Sequence, residues 1–448
     1  MSPTAVFAYA RQRVASPSAV LIGTNMLVNV LRIGNTMLLT RLLAPRDFGL
    51  TGIIFSIFFV VSMVTDAGFQ AFVIRHERGE DPEFLDAIWT IHALRGTVLF
   101  LITAALSAPI GMIIGKPEVS PLMAVAALAF AIDGLISPAM FVALRTGGVR
   151  RLSFIDLAIS VIQMAAAIVA AYFLRNAWAI VISQIVGSSV KAICTFTILP
   201  DAKRRVRFER PIAAELWRFS RVIGASSILT MVLAQVDKLV LARSLSLPQF
   251  GVYTIAANLA QVPVAIVMIY TTRILYPAVA NGWRLDPGAI RQTIYGTRGP
   301  VFYGYLFAAG GMIGSAPIVV RILYDPRYVG AALYLSILAL PAAMTMITRA
   351  TSETLVAIGH TKTTLMLNVV RIVWLGVFGT IGFLLAGPIA LVLVLGLIEI
   401  PAYLYGTVVM RKLHLLSPVR ELRALLLIVA GAATGWLATI IFDLLLRR

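Results

Sequence analysis

Charge is scarce in this chain. Only 13% of its 448 residues are Asp, Glu, Lys or Arg, against about 25% in an ordinary soluble domain. With 59% hydrophobic residues and a mean hydropathy of +0.91, it has too little polar surface for a soluble protein. It reads as an all-α polytopic membrane protein. Cysteine is nearly absent: Cys194 alone excludes an internal disulfide and a thiolate metal cluster, and its apolar setting suggests a small buried hydrophobe. The four histidines, His76, His92, His360 and His414, show no ligand spacing, so no metal site is expected. Acidic residues are fewer than basic ones, 20 against 38, for a net charge of +18. In a soluble protein that excess would suggest nucleic acid as a partner. Here most of it falls in short loops between apolar runs, and no nucleic-acid partner is inferred. The N-terminal stretch "MSPTAVFAYARQRVASPS" lacks a compact apolar core and a small-residue cleavage site, so the first helix is expected to serve as an uncleaved insertion signal.

What is present is a succession of runs of about 20 apolar residues, the length that crosses a hydrocarbon core. They lie near 18–42, 48–74, 87–114, 120–145, 152–174 and 177–199. After the basic stretch "DAKRRVRFERP" come 214–242, 249–279, 299–323, 329–357, 363–386, 388–410 and 421–445. This gives twelve to thirteen spans. Placing the N-terminus in the cytoplasm puts twenty loop Lys and Arg residues on the inner side and nine on the outer, as the positive-inside rule requires.

The sequence repeats itself. "LLTRLLAPRDFGLTGI" at 38–53 aligns without gaps on "VLARSLSLPQFGVYTI" at 240–255, with Leu39/Leu241, Arg41/Arg243, Leu43/Leu245, Phe48/Phe250, Gly49/Gly251 and Ile53/Ile255 identical. Carried backwards, the same register pairs Asn35 with Asp237. Six spans separate the copies, so both halves share one orientation, a parallel repeat about the membrane normal. The expected organisation is an N-terminal six-helix lobe (1–210), a C-terminal six-helix lobe (211–411), and a basic loop with one additional apolar helix (412–448). Two such lobes around a central cleft are the architecture of an alternating-access transporter.

Polar residues interrupt the spans in an ordered way. Asn25, Asn29, Arg32 and Thr36 form one stripe of the first helix. A central arginine there costs roughly 2.5–3.5 kcal/mol on the insertion scale. Ser226, Thr230 and Asp237, with Lys238 beside them, form a similar stripe in the seventh span. Thr345, Thr348, Arg349, Ser352 and Glu353 share a face of the tenth, where Arg349 and Glu353 stand at i,i+4. Arg95, Lys191, Arg218, Arg221, Arg273 and Arg371 complete the basic set and also allow a snorkelling reading. Such stripes are expected to face protein or water. Asn25, Asn29, Arg32, Lys238, Arg273, Arg349 and Arg371 are therefore candidate cavity residues, suited to a phosphate because a guanidinium grips its oxygens bidentately. Asp66, Asp237, Glu353 and Glu399 are candidate coupling sites for H+ or Na+, or neutralising partners of arginines. Asp133 and Asp156 lie nearer span ends. Pro263, midway along the eighth span, marks a hinge or a kink.

The stretches "TRLLAPRDFGLTGI" and "VDKLVLARSLSLPQFGVYTIAANLAQVP" (236–263) resemble the polysaccharide transporter family, the Wzx-type flippases of the MOP superfamily. The second carries that family's pattern at Asp237, Phe250, Gly251, Tyr253, Ala256 and Ala257. Members are described with twelve or fourteen spans, from which an odd count departs. The resemblance implies two six-helix bundles around a cavity and a cargo of undecaprenyl-pyrophosphate-linked oligosaccharide. This cargo would be turned from the inner to the outer leaflet of the bacterial inner membrane for exopolysaccharide, capsule or O-antigen synthesis. Membrane lipids are implied as partners, and a polysaccharide polymerase and export machinery are admitted. No cofactor and no catalytic residue are implied, because flipping makes and breaks no covalent bond. The alternatives are a MATE-type cation-coupled drug exporter, which would favour an acidic or aromatic cavity, and a lipid II flippase. An enzyme such as a polymerase acting outside would have little to build a site from, since the outer loops are short.

Overall fold

The computed structural model describes residues 17–65 and 68–446, and within them the side chains other than those of 17–22, 149, 222–230 and 446. Each of the thirteen apolar runs is helical. Among the described residues, ten helices have the length and apolarity to cross a membrane. An eleventh follows if Val119–Gly134 and Ala139–Arg145, bent by 58° across the break between them, form one span. Pro17–Leu42 and Arg210–Ser244 are the helices that carry the Asn/Arg and Ser/Thr/Asp stripes. No strand occurs among the described residues.

Several spans are interrupted, and the interruptions are local in origin. The helix Leu247–Ala260 stops at a turn over 261–263 and resumes as Val264–Tyr270, because Pro263 has no N–H to donate. Two π-helical turns follow the same logic of imperfect i→i−4 bonding, at Thr271–Leu275 and Leu375–Gly379. Another span is divided at Leu397–Ile398, so that Glu399 opens the helix Glu399–Lys412.

The chain forms two compact units, Met1–Arg243 and Ser244–Arg448. The sequence boundary after residue 210 was drawn before the seventh span, whereas compactness groups the long helix Arg210–Ser244 with the first unit. In that unit, Pro17–Leu42 packs on Val149–Leu174, and Phe69, Phe72, Phe84, Ile88 and Leu216 share an apolar core. Cys194 is half-buried beside Leu152 and Leu199 rather than fully enclosed.

The second unit is organised around a parallel pair of helices, Pro300–Leu323 and Pro418–Leu446. Their contacts advance together along both chains. Arg298 Nη1 meets Glu421 Oε1 at 2.7 Å at one end, and Arg321 pairs with Asp443 at the other. Between these ion pairs the backbones touch. A Cβ on Gly310, Gly314, Gly431 or Gly435 would run into a carbonyl oxygen of the facing helix, that of Ile428, Ala432, Phe307 or Gly311 respectively. Small residues allow this approach, and it replaces the hydrophobic drive that is missing between helices in lipid. The last apolar run is thus an integral part of the second unit.

Candidate functional site

The candidate residues fall in both units, and their local environments differ. In the first unit, Arg32 and Asn25 are exposed on Pro17–Leu42, while Asn29 is half-buried. Thr36, one turn along the same stripe, stands within reach of the Arg32 guanidinium by spacing. Its hydroxyl instead donates 3.0 Å to the Arg32 carbonyl oxygen, inside the helix. A threonine four residues on finds its own helix backbone sooner than a mobile side chain. Asp237 is buried at 9% exposure and Lys238 is half-buried. Asp66 lies outside the described residues, as do the side chains of Ser226 and Thr230.

Arg95, open to a snorkelling reading, has a structural task. Its Nε donates 2.9 Å to the Thr65 carbonyl and its Nη2 2.8 Å to the Thr65 hydroxyl. Thr65 is the C-cap of Pro45–Val64. The guanidinium thereby satisfies the orphan acceptors and negative pole of that helix end.

In the second unit, three of the expected residues, Arg371, Glu399 and Thr348, come together with Asn368, which the sequence did not single out. Arg371 grips Glu399 bidentately, Nε to Oε1 at 2.9 Å and Nη2 to Oε2 at 2.8 Å. Asn368 Oδ1 accepts from Arg371 Nη1 at 2.9 Å, and the buried Thr348 hydroxyl donates 2.6 Å to Glu399 Oε2. Three consecutive membrane-crossing segments, Ala331–Ala357, Thr361–Ala386 and Pro388–Lys412, are joined by this centre. Glu399 in a first helical turn also faces the positive end of its own helix. Arg371 is therefore a neutralised partner rather than an open cargo contact, and Glu399 has its charge already matched.

The polar face of the tenth span is likewise partly committed within the protein. Thr345 donates to the Pro341 carbonyl at 2.7 Å, Ser352 and Thr364 share a hydrogen bond of 2.9 Å, and Thr348 serves Glu399. Arg349 is exposed and Glu353 half-buried; their i,i+4 spacing yields no ion pair among the described residues. Arg273 is exposed within the π-helical turn Thr271–Leu275, and the second such turn begins four residues after Arg371. Neither turn was foreseen from sequence, since no residue type marks them. Arg32, Arg273 and Arg349 thus share one property: among the described residues, no carboxylate pairs with any of them.

Comparison with known proteins bears on what these units belong to. The model of a family described as "Polysaccharide biosynthesis protein" matches residues 38–332. The lipopolysaccharide biosynthesis protein WzxC of Escherichia coli K12 is 25% identical over 246 residues, 54% of this chain and 49% of the relative. The succinoglycan biosynthesis transport protein ExoT of Rhizobium meliloti is 23% identical over 252 residues, 54% of this chain and 48% of the relative. The matched stretch spans about half the length of these curated relatives. Among solved structures, the lipid II flippase MurJ in an inward closed conformation superposes with a TM-score of 0.71 at 14% identity, covering 96% of this chain and 99% of that one. An inward-facing MATE multidrug transporter of the MOP superfamily gives 0.68 at 16% identity, with coverage of 88% and 98%. At such identities the likeness is one of fold. The chain belongs to the polysaccharide biosynthesis protein family, and its fold is like that of the solved MurJ and MATE transporters.

Proposed function

We propose that this protein is an alternating-access flippase, not an enzyme. It carries an undecaprenyl-pyrophosphate-linked oligosaccharide from the inner to the outer leaflet of the bacterial inner membrane, with its N-terminus in the cytoplasm. The observation that carries this reading is the set of three arginines, Arg32, Arg273 and Arg349, on membrane-crossing helices with no carboxylate partner among the described residues. An arginine so placed is retained where water or a mobile anion meets it, and a pyrophosphate is the anion its fork fits best. Asn25, Asn29 and Lys238 are proposed to share this task. The same sign of charge disfavours the cationic drugs of a MATE-type exporter, whose fold is otherwise shared. Asp66, Asp237 and Glu353 are the proposed groups for H+ or Na+ coupling.

The reading is tested on purified protein in liposomes loaded with a polyprenyl-pyrophosphate oligosaccharide, scoring its appearance on the opposite leaflet. Arg32→Ala is expected to fold and insert normally while transport falls at least tenfold. Arg32→Lys should keep part of the activity, because the charge survives without the fork. A stable Arg32→Ala protein with full activity, joined by the same result for Arg273→Ala and Arg349→Ala, would remove the anionic-cargo reading.

A further inference from the structure

The segment 202–209, between the helices Trp178–Thr197 and Arg210–Ser244, forms no helix or strand of its own, yet it is tied down. Arg204 Nη1 stands 3.7 Å from Asp86 Oδ1, and Arg207 Nη2 stands 2.8 Å from Glu83 Oε2. The Arg207 backbone N–H donates 2.9 Å to the Thr90 hydroxyl. By helical spacing Glu83, Asp86 and Thr90 form one stripe of the helix Pro82–Ala105. Leu94, Thr97 and Leu101 continue that stripe, and all three are exposed. The Thr97 hydroxyl is satisfied by the Ala93 carbonyl at 2.9 Å, so this stretch of a membrane-crossing helix presents an apolar surface, suited to lipid. Leu94 lies about 6 Å along the axis from Thr90. The segment therefore crosses Pro82–Ala105 where its outer stripe passes from polar to apolar.

Its side chains divide by direction. Arg204 and Arg207 turn toward that helix and are matched by Asp86, Glu83 and Glu209. Lys203, Arg205 and Arg210 are exposed, and no carboxylate pairs with them among the described residues. Between them Val206 is 82% and Phe208 57% exposed. The division continues into the helix Arg210–Ser244. Ile212 and Leu216 join the core of Phe69, Phe72 and Phe84. Arg210, Ala214, Trp217, Arg218 and Arg221 share the opposite face, all exposed, with Trp217 at 67%. Large apolar side chains interleaved with unmatched cations suit one surface in particular. At the headgroup boundary of an anionic bilayer, rings sit among the headgroups while Lys and Arg meet phosphates. The stripe of Pro82–Ala105 sets the segment at that depth. We propose that residues 203–221 are a docking surface for the anionic phospholipids of the adjoining leaflet. Lys203, Arg205, Arg210 and Arg218 meet the phosphates, and Val206, Phe208 and Trp217 enter the acyl boundary. An acidic protein segment would match the charges but not the depth. The inference goes beyond the flipping reading, since it concerns the resident bilayer rather than a cargo and requires no transport.

The test uses the full chain with Cys194→Ala and Val206→Cys, so that a nitroxide spin label attaches at position 206 alone. It is reconstituted in vesicles of phosphatidylcholine, or of phosphatidylcholine mixed with phosphatidylglycerol. Collisions with oxygen, which concentrates in lipid, and with a water-soluble nickel chelate report the depth of the label. Phosphatidylglycerol is expected to raise the oxygen-to-nickel collision ratio several-fold. About 1 M salt, where the Debye length is about 3 Å, should remove most of that gain without any further substitution. K203Q/R205Q/R210Q should remove it as well, and its melting temperature, measured in parallel, reports on folding. R411Q/K412Q deletes two exposed cations from the last turn of the helix Glu399–Lys412 and should keep the gain. A collision ratio that is the same in both vesicles, a gain that survives salt, or an equal loss in R411Q/K412Q overturns the proposal. A label that stays in water in both vesicles does so too, and leaves an acidic protein as the partner that the basic face fits.

Discussion

The charged residues of the membrane-crossing helices divide by what lies opposite them. Arg95 closes a helix end through the Thr65 backbone, and Arg371 is locked onto Glu399. Both are part of how the protein holds together. A buried pair that loses one member strands a charge, at about 3–5 kcal/mol, whereas apolar replacement of both is far better tolerated. Arg371→Ala is therefore expected to lower the melting temperature sharply, and Arg371→Met with Glu399→Leu to restore most of the loss. Thermal unfolding in detergent, with the two single variants and the double run together, gives the coupling directly. If the double variant is as unstable as the worse single one, the pair is not the source of the cost. Sequence alone identified Arg371 as a cavity candidate and Glu399 as a coupling site or a neutralising partner of an arginine, without saying which arginine. Their partnership spans 28 residues and two helices, and nothing in local spacing encodes it. Thr36 shows the converse: it shares the stripe of Arg32, yet its hydroxyl bonds to the backbone of its own helix.

At the level of helices, the spans were legible because hydropathy over 20 residues is a strong signal, and Pro263 rightly marked an interruption. The division at Leu397–Ile398 and the two π-helical turns were not legible, since tertiary contact rather than residue type selects them. The parallel packing of Pro300–Leu323 on Pro418–Leu446 stands between these cases. Gly310, Gly314, Gly431 and Gly435 are visible as small residues at helical spacing, but only the structure pairs the two sets. It also makes the C-terminal helix structurally necessary. Gly431→Leu would force a side chain into the Phe307 carbonyl region, and overpacking of this kind costs about 1–3 kcal/mol or displaces the helix. The expected outcome is a lower melting temperature and new protease cleavage in the 412–417 loop. Gly304→Leu, on the same helix as Gly310 but with open space at its Cβ, should change neither.

For the molecule as a whole, orientation is the property that ties charge to function. The parallel course of Pro300–Leu323 and Pro418–Leu446 requires an odd number of crossings between them. Ala331–Ala357, Thr361–Ala386 and Pro388–Lys412 are three. That count places the loops before residues 300 and 418 on one side of the membrane. Both are basic, with Arg284, Arg291 and Arg298 in one and Arg411, Lys412 and Arg420 at the other. The tally of loop charges and the helix packing are independent, and they agree on which loops share a side; in the orientation proposed above, that side is the cytoplasmic one. Truncated fusions test the result. A green fluorescent protein joined after residue 205, 286 or 414 should fluoresce, whereas alkaline phosphatase should be active after residue 116, 176 or 326. Reversal of all six would invert the protein and with it the direction of transport proposed above. Reversal confined to the fusion at 414 would mean that the three intervening helices do not each cross, which the parallel helix pair forbids.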